Sequence, residues 1–285
     1  MLSQPQCDFF SSQGYLPTYE NFSGDDLALL AKRSVLAFEQ DSPGMILEKD
    51  GRTIRGVHGC HETDEVFARL VRHRKVLETA KELLGGDVYV HQFKINAKKA
   101  LKGDVWPWHQ DYIFWHHGDG MRTSQAVNIA ILLDEATDFN GPLLVLPGSH
   151  RIGMIDPERG DRESVGRSTE PDWRSHLNAD LHYTLDAGHL AELTRDSRIV
   201  AMKGPAGTVF AFDPLIVHAS GSNMSPDDRG MLFITYNRTD NTLGDVSNPL
   251  PSFLAARDYT PLQPLAVPTL LPEATDQPIP KEVNS

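Results

Sequence analysis

Two stretches of the chain carry side chains whose types and spacing could do metal chemistry. In "WPWHQDYIFWHHGDG", residues 106–120, His109 and Asp111 form an H-x-D pair. On a β-strand, where successive side chains alternate faces, both point the same way. Alone, such a dipeptide pattern is common and means little. The stretch "GTVFAFDPLIVHASGSNMSPDDRGMLFITYN", residues 207–237, changes its weight. There His218 closes an apolar run, Ser220 stands two residues on, and Arg229 opens the next apolar run eleven residues on. Two imidazoles and one carboxylate make the facial triad that holds non-haem Fe(II) and leaves positions open. A 2-oxo acid can chelate such a metal through its keto oxygen and one carboxylate, leaving a site for O2. Its distal carboxylate then needs a fixed cation, and the planar fork of Arg229 suits that task. The bland alternative for Arg229 is a surface arginine at a strand entrance; the histidine upstream favours the functional one.

The elements that must position these residues follow from periodicity. "DDLALLAKRSVLAFEQ" places Leu27, Leu30 and Ala31 on one helical stripe, and "TDEVFARLVRHRKVLETAKELLGG" does so with Phe67, Leu70, Val71, Leu77 and Leu84. Thr63 is the expected N-cap and Gly85 the expected stop. From Asp87 the texture becomes short β-rich runs: "DVYVHQFKINA", "QAVNIAILLDE", "GPLLVLPGSH", "GTVFAFDPLIVHAS" and "MLFITYNRTD". The expected fold is mainly β, a jelly roll over about residues 87–250 flanked by a helical N-terminal part over about 1–86, in one domain. A polar insertion at 156–200 is too long for an ordinary loop and is expected to act as a lid or binding loop. The tail 261–285 is expected to be irregular and partly mobile.

Composition narrows the partner. A net charge of −12 and a pI near 5.4 argue against nucleic acid or an anionic membrane, both of which call for a basic face, and leave a small molecule. The two cysteines, Cys7 and Cys60, lie far apart, and no run is long enough to span a bilayer. The N-terminus has no secretory signature, so a reduced, cytoplasmic protein is expected. "PGSHR" lacks the G-x-S-x-G pattern and gives no nucleophile elbow.

The runs "VYVHQFKINAKKALKGDVWPWHQDYIFWHHGDGM", "NGPLLVLPGSHR" and "FDPLIVHASGSNMSPDDRGMLFITYN" resemble the phytanoyl-CoA dioxygenase family of Fe(II)/2-oxoglutarate oxygenases, especially its ectoine hydroxylase-like branch. The similarity spans roughly residues 8–250. The resemblance implies a double-stranded β-helix with His109, Asp111 and His218 as iron ligands. It also implies Asn96, Lys98, Asn128, Ser220 and Arg229 as the 2-oxoglutarate pocket, and Gln92 and Trp115 as substrate contacts. Halogenase-like variants of the family lack the carboxylate ligand; Asp111 is present here, which favours hydroxylation.

His58 in "IRGVHG", and Arg238 with Asp240 in "NRTD", are further substrate-contact candidates at the expected mouth of the site. His116 and His117 read as loop residues, and Trp106 and Trp108 as packing around the metal strand. The cluster Lys94, Lys98, Lys99 and Lys102 offers no consistent phosphate-binding face, because strand alternation sends Lys99 away from Lys94 and Lys98. The expected activity is hydroxylation of an unactivated C–H bond in a small amino-acid-like metabolite, with release of succinate and CO2. The alternatives are oxidation of a larger biosynthetic intermediate by the same chemistry, and a non-catalytic jelly-roll binding module. The latter has no use for Ser220 and Arg229 beside a third metal ligand.

Overall fold

A computed structural model describes residues 1–157, 177, 181–195 and 197–271. Its elements run α1 (Gln4–Gln13), β1 (Tyr15–Asn21), α2 (Gly24–Glu39), β2 (Met45–Leu47), β3 (Ile54–His58), α3 (Glu65–Leu70) and α4 (Arg74–Leu84). There follow β4 (Val88–Lys98), β5 (Trp106–His109), α5 (Asp111–Phe114), a single π-turn (Trp115–Asp119), β6 (Ala126–Leu132) and β7 (Leu143–Val145). Last come α6 (Ala187–Leu193), β8 (Val200–Met202), β9 (Thr208–Phe212), β10 (His218–Ser220) and β11 (Arg229–Arg238).

Two antiparallel sheets result. The larger has the order β1-β9-β6-β11-β4-β3-β2 and the smaller β5-β10-β7-β8. Alternation along the central strands decides what faces what. Val127, Ile129 and Ile131 of β6 and Leu232, Ile234 and Tyr236 of β11 pack outward, where Leu30, Phe67, Leu70 and Leu77 of the N-terminal helices cover them. Ala130, Leu132, Met231 and Phe233 point inward and meet Leu143 and Val145 of the smaller sheet. The polar residues Asn128 and Thr235 share that inner face by the same two-residue period. This is the mainly β jelly roll that the strand-dense sequence implied.

Strand β4 breaks its own period once. Thr235 of β11 pairs with Gln92 but the next residue, Tyr236, pairs with Val90, so His91 is an extra residue in the ladder. Such a bulge reverses the side-chain parity. Val88 and Val90 face the helices before it and Phe93 and Ile95 after it. His91 and Gln92, though adjacent, therefore both turn inward.

The sequence expectations differ from the structure at several points. The segment before residue 87 also supplies β1, β2 and β3. The helical run from Thr63 is two helices, because His73 takes an extended backbone and its Nδ1 accepts from the Lys75 amide at 3.2 Å, capping a second start. The first helix is capped by Asp64, which accepts from the Val66 amide at 2.9 Å, not by Thr63. Gly85 does end α4, with φ of 66°. "GTVFAFDPLIVHAS" splits into β9 and β10 in different sheets. Asp213 accepts from the Leu215 amide at 2.8 Å, and Pro214 brings no amide of its own, so the chain turns the corner there. Residues 261–271 are irregular as expected, yet Leu262 and Leu265 donate to Val88 and Arg72 backbone oxygens and Leu270 is buried. Most of the insertion expected to form a lid, and the rest of the tail, lie outside the described residues.

Candidate metal and cosubstrate site

His109 and His218 face each other as a paired position between β5 and β10, with ring centroids 4.2 Å apart. Asp111 departs from expectation: the strand ends at His109, and Asp111 is the first residue of α5. Gln110 between them keeps an extended backbone, φ −115° and ψ 137°, so the two side chains still converge. His109 Nε2 lies 3.6 Å from Asp111 Oδ1, and His218 Nε2 lies 3.8 Å from Asp111 Oδ2. One ligand atom from each residue falls within 4.8 Å of the others, and all three residues are buried.

The surroundings orient these ligands. His109 Nδ1 sits 2.6 Å from the Pro107 oxygen and His218 Nδ1 3.0 Å from the Ile216 oxygen. A carbonyl can only accept, so Nδ1 carries the proton in both rings and the Nε2 lone pairs are left for a metal. Burial, then the charge of His109, pushes the His218 pKa down to about 4, which keeps it a neutral donor. Burial alone raises the Asp111 pKa, but Lys94, His218 and His109 overcome it and hold the carboxyl well below the usual range. Asn128 donates to Asp111 Oδ2 at 2.8 Å, and Thr235 donates to Asn128 Oδ1 at 2.6 Å. Gln110 donates to the Gly153 and Leu215 oxygens and accepts from the Ile155 amide, tying the segment between the ligands to two neighbouring loops. Two imidazoles and one ionised carboxylate, each held by a second partner, fit a divalent transition metal with open positions.

The triad lines a cavity of about 90 Å³ that also reaches Gln92, Lys94, Asn96, Trp106, Trp115, Asp119, Ser220 and Arg229. Arg229 enters it from the start of β11. Its Nη2 donates to the Gly141 oxygen at 2.6 Å and to Ser220 Oγ at 3.2 Å, while Ser220 Oγ donates to the same Gly141 oxygen at 2.8 Å. Gly141 is required there: φ is +68°, and a Cβ would lie 2.4 Å from the Gly221 oxygen. Burial lowers the Arg229 pKa to about 10, so the guanidinium stays charged at neutral pH. Its buried Nε has no hydrogen-bond partner among the described residues. A buried cation with an unused donor suits an anionic ligand.

The other candidates separate. Gln92, Asn96 and Trp115 lie in the cavity wall. Asn128 is spent on Asp111 and is not among the lining residues. Lys98 is not either: its ammonium donates to the Asp104, Ser220 and Gly221 backbone oxygens, so it braces the strand ends around Arg229. Burial, then the charges of Arg229 and Arg55, pushes its pKa down to about 6. His58 belongs to a second cavity with Gly44, Cys60 and Phe253. Arg238 and Asp240 pair with each other at the surface, away from the wall, because residues two apart beyond a strand end reach one another more readily than a buried ligand. His116 hydrogen-bonds the Met121 oxygen and His117 stacks on Tyr183; neither lines the cavity. Leu177 and Leu181, from the described end of the insertion, do.

Sequence reasoning missed Lys94, Gln110, Thr235, His91 and Asp119. Lys94 shares the inner face of β4 with Gln92 and Asn96, and that two-residue spacing was the available signal. Its ammonium lies 5.2 Å from the Phe233 ring centroid.

The fold and the site together define a jelly-roll oxygenase with a two-histidine, one-carboxylate metal triad. The chain belongs to the phytanoyl-CoA dioxygenase family, whose model matches residues 10–231. It is 44% identical over 257 residues to L-proline trans-4-hydroxylase of Streptomyces griseoviridis, covering 90% of this chain and 93% of that one. It is 35% identical over 263 residues to the ectoine dioxygenase of Sphingopyxis alaskensis, covering 90% and 83%. The iron-bound crystal structure of EctD from S. alaskensis superposes with a TM-score of 0.78 at 31% identity, covering 95% of this chain and 89% of that chain.

Proposed function

We propose that this dioxygenase hydroxylates a free cyclic amino acid of the L-proline type, using Fe(II), 2-oxoglutarate and O2. The observation that carries the chemistry is the shared cavity. It holds the triad at one point of its wall and, at another, a buried guanidinium with an unused donor. The observation that favours the substrate is the 44% identity to a proline hydroxylase across nearly both chains. The larger-intermediate alternative has no comparable support.

Fe(II) bound by His109, Asp111 and His218 would supply oxygen activation coupled to decarboxylation of 2-oxoglutarate, giving succinate, CO2 and an alcohol. The chain's own part is holding and aiming. Arg229 and Ser220 receive the distal carboxylate of 2-oxoglutarate, Lys98 and Gly141 keep them in place, and Asn96 and Lys94 serve the same cosubstrate nearer the metal. Asn128 and Thr235 set the Asp111 carboxylate. Gln92 and Trp115 bind the amino acid, and Gln92 is pre-oriented because its Nε2 donates to the Leu254 oxygen at 2.9 Å. Phe212, Met231, Phe233, Leu181 and Leu254 line the remaining wall and exclude water from the reacting centre. Cys7 and Cys60 are unpaired, and no described helix is long and apolar enough to cross a membrane. Both fit a cytoplasmic enzyme.

A panel of free amino acids, ectoine and larger biosynthetic intermediates, screened for substrate-dependent succinate release, tests the proposal. L-proline or a close ring analogue should head the response. Release confined to the larger intermediates moves the assignment to them, and no release with any compound, by protein that retains Fe(II), returns it to a binding module.

A further inference from the structure

Four charged side chains lie in the cavity wall: Lys94, Asp111, Asp119 and Arg229. The proposed reaction employs three of them. Asp119 has no part in it, yet it is almost wholly buried at 1% exposure. It closes the π-turn that begins at Trp115. Its Oδ2 pairs with His91 Nε2 at 3.0 Å, and its Oδ1 has no partner among the described residues.

The placement of this pair is specific. His91 is the extra residue of the β4 bulge, which turns it inward beside Gln92. The edge of its ring meets Trp115 at 5.3 Å and 72°. Gln92, His91, Asp119 and Trp115 therefore form one continuous corner, level with Thr235 on the neighbouring strand. Arg229 pairs with Lys98, six residues further along β4, or about 20 Å of strand. The carboxylate-binding end of the cavity and this corner are thus well separated.

We propose that Asp119, positioned by His91, receives the positively charged nitrogen of the substrate. This rests on the assignment above of a small amino-acid-like substrate. A carboxylate oxygen taken out of water without a donor is costly, and a substrate N–H cation supplies the donor and the charge together. Gln92 and Trp115 then hold the rest of the ring while Asp119 sets its orientation toward the metal. No other acidic side chain among the described wall residues is free of the metal triad.

The competing explanation is a purely structural pair that pins the π-turn to β4. Binding to the anaerobic Fe(II)- and 2-oxoglutarate-loaded full chain separates the two, read from the change that a bound substrate causes in the visible band of the chelated cosubstrate. The probes are L-proline and tetrahydrofuran-2-carboxylate, which replaces the ring N–H2 cation by a neutral oxygen. The parent should bind L-proline at least roughly tenfold tighter than the oxygen isostere. Asp119→Asn keeps the shape and a hydrogen bond to His91 but not the charge. It should weaken L-proline roughly 10- to 100-fold, leave the isostere nearly unchanged, and preserve the band formed with 2-oxoglutarate alone. Unchanged L-proline binding, or equal weakening of both ligands, overturns the proposal and leaves the substrate assignment intact. If the variant does not fold, the parent decides: equal affinity for the two ligands overturns it. A parent that forms the cosubstrate band but binds neither ligand overturns the substrate assignment and this proposal with it.

Discussion

Asn128 donates a 2.8 Å hydrogen bond to Asp111, and in doing so reserves the orientation of the carboxylate that faces the two imidazoles. Asn128 is itself fully buried and is held by Thr235. Partners of this kind commonly account for one to two decades of metal affinity. Thr235→Val keeps the volume and removes the donor to Asn128. It should weaken Fe(II) binding by about tenfold, and Asn128→Ala by up to about 100-fold, in an anaerobic titration. Parent-like affinity in both variants would show that Asp111 needs no help to keep its pose.

Arg229 and Ser220 converge on one backbone oxygen, that of Gly141, so the guanidinium plane is fixed before any ligand arrives. Arg229→Lys retains the charge but not the planar fork. The 2-oxoglutarate concentration needed for half-maximal succinate formation should rise roughly 10- to 100-fold, and Arg229→Ala should be worse. The requirement for amino acid should change little. A variant that instead loses amino-acid binding and keeps its cosubstrate requirement assigns Arg229 to the other ligand.

Arg55 and Glu48 form a buried ion pair at 2.8 Å, and Arg55 also stacks on Trp106 at 3.7 Å and donates to the Val105 and Leu177 oxygens. Trp106 and Leu177 are both cavity residues, so the pair braces the wall from behind. Removing one partner leaves an uncompensated buried charge. Glu48→Gln or Arg55→Met should each cost about 3–5 kcal/mol in urea unfolding. The double variant should be less destabilised than the sum of the two, and simple additivity would mean that the charges are not coupled.

His58 is buried, and burial, then the charge of Lys94, lowers its pKa to about 3 from an ordinary value of 6.5. Between these values the unfolded chain takes up a proton that the folded chain refuses. Stability therefore rises with pH across that window and is lost as pH falls through it, by about 1.4 kcal/mol per pH unit for this group. His58→Gln should flatten the urea-midpoint profile between about pH 6 and pH 4. An equally steep profile in the variant would assign the slope to other groups.

The metal ligands were legible because their residue types are restrictive and their two segments carry separate, ordered cues. The jelly roll was legible from its strand density. What supports the ligands was not. By resemblance Asn128 is expected to contact 2-oxoglutarate, and Thr235 carries no signal of its own; only the β6–β11 register brings the two together beneath Asp111. His91 and Gln92 obey no simple alternation because a bulge without a glycine lies between two ordinary halves of β4. Lys98 lies on the same strand face as Lys94 and Asn96, but at the end of the strand three carbonyls capture its ammonium. Arg238 and Asp240, expected at the mouth of the site, lie outside the cavity wall and pair with each other.

The central claim, that this site couples 2-oxoglutarate decarboxylation to insertion of oxygen into a small cyclic amino acid, is tested most directly by product analysis under isotopically heavy dioxygen. Protein supplied with Fe(II), 2-oxoglutarate and L-proline should yield a hydroxylated proline carrying one heavy oxygen atom, in equal amount with succinate, and His109→Ala should yield neither. Succinate formed at the same rate with and without L-proline, with no oxygen in any amino-acid product, would contradict it.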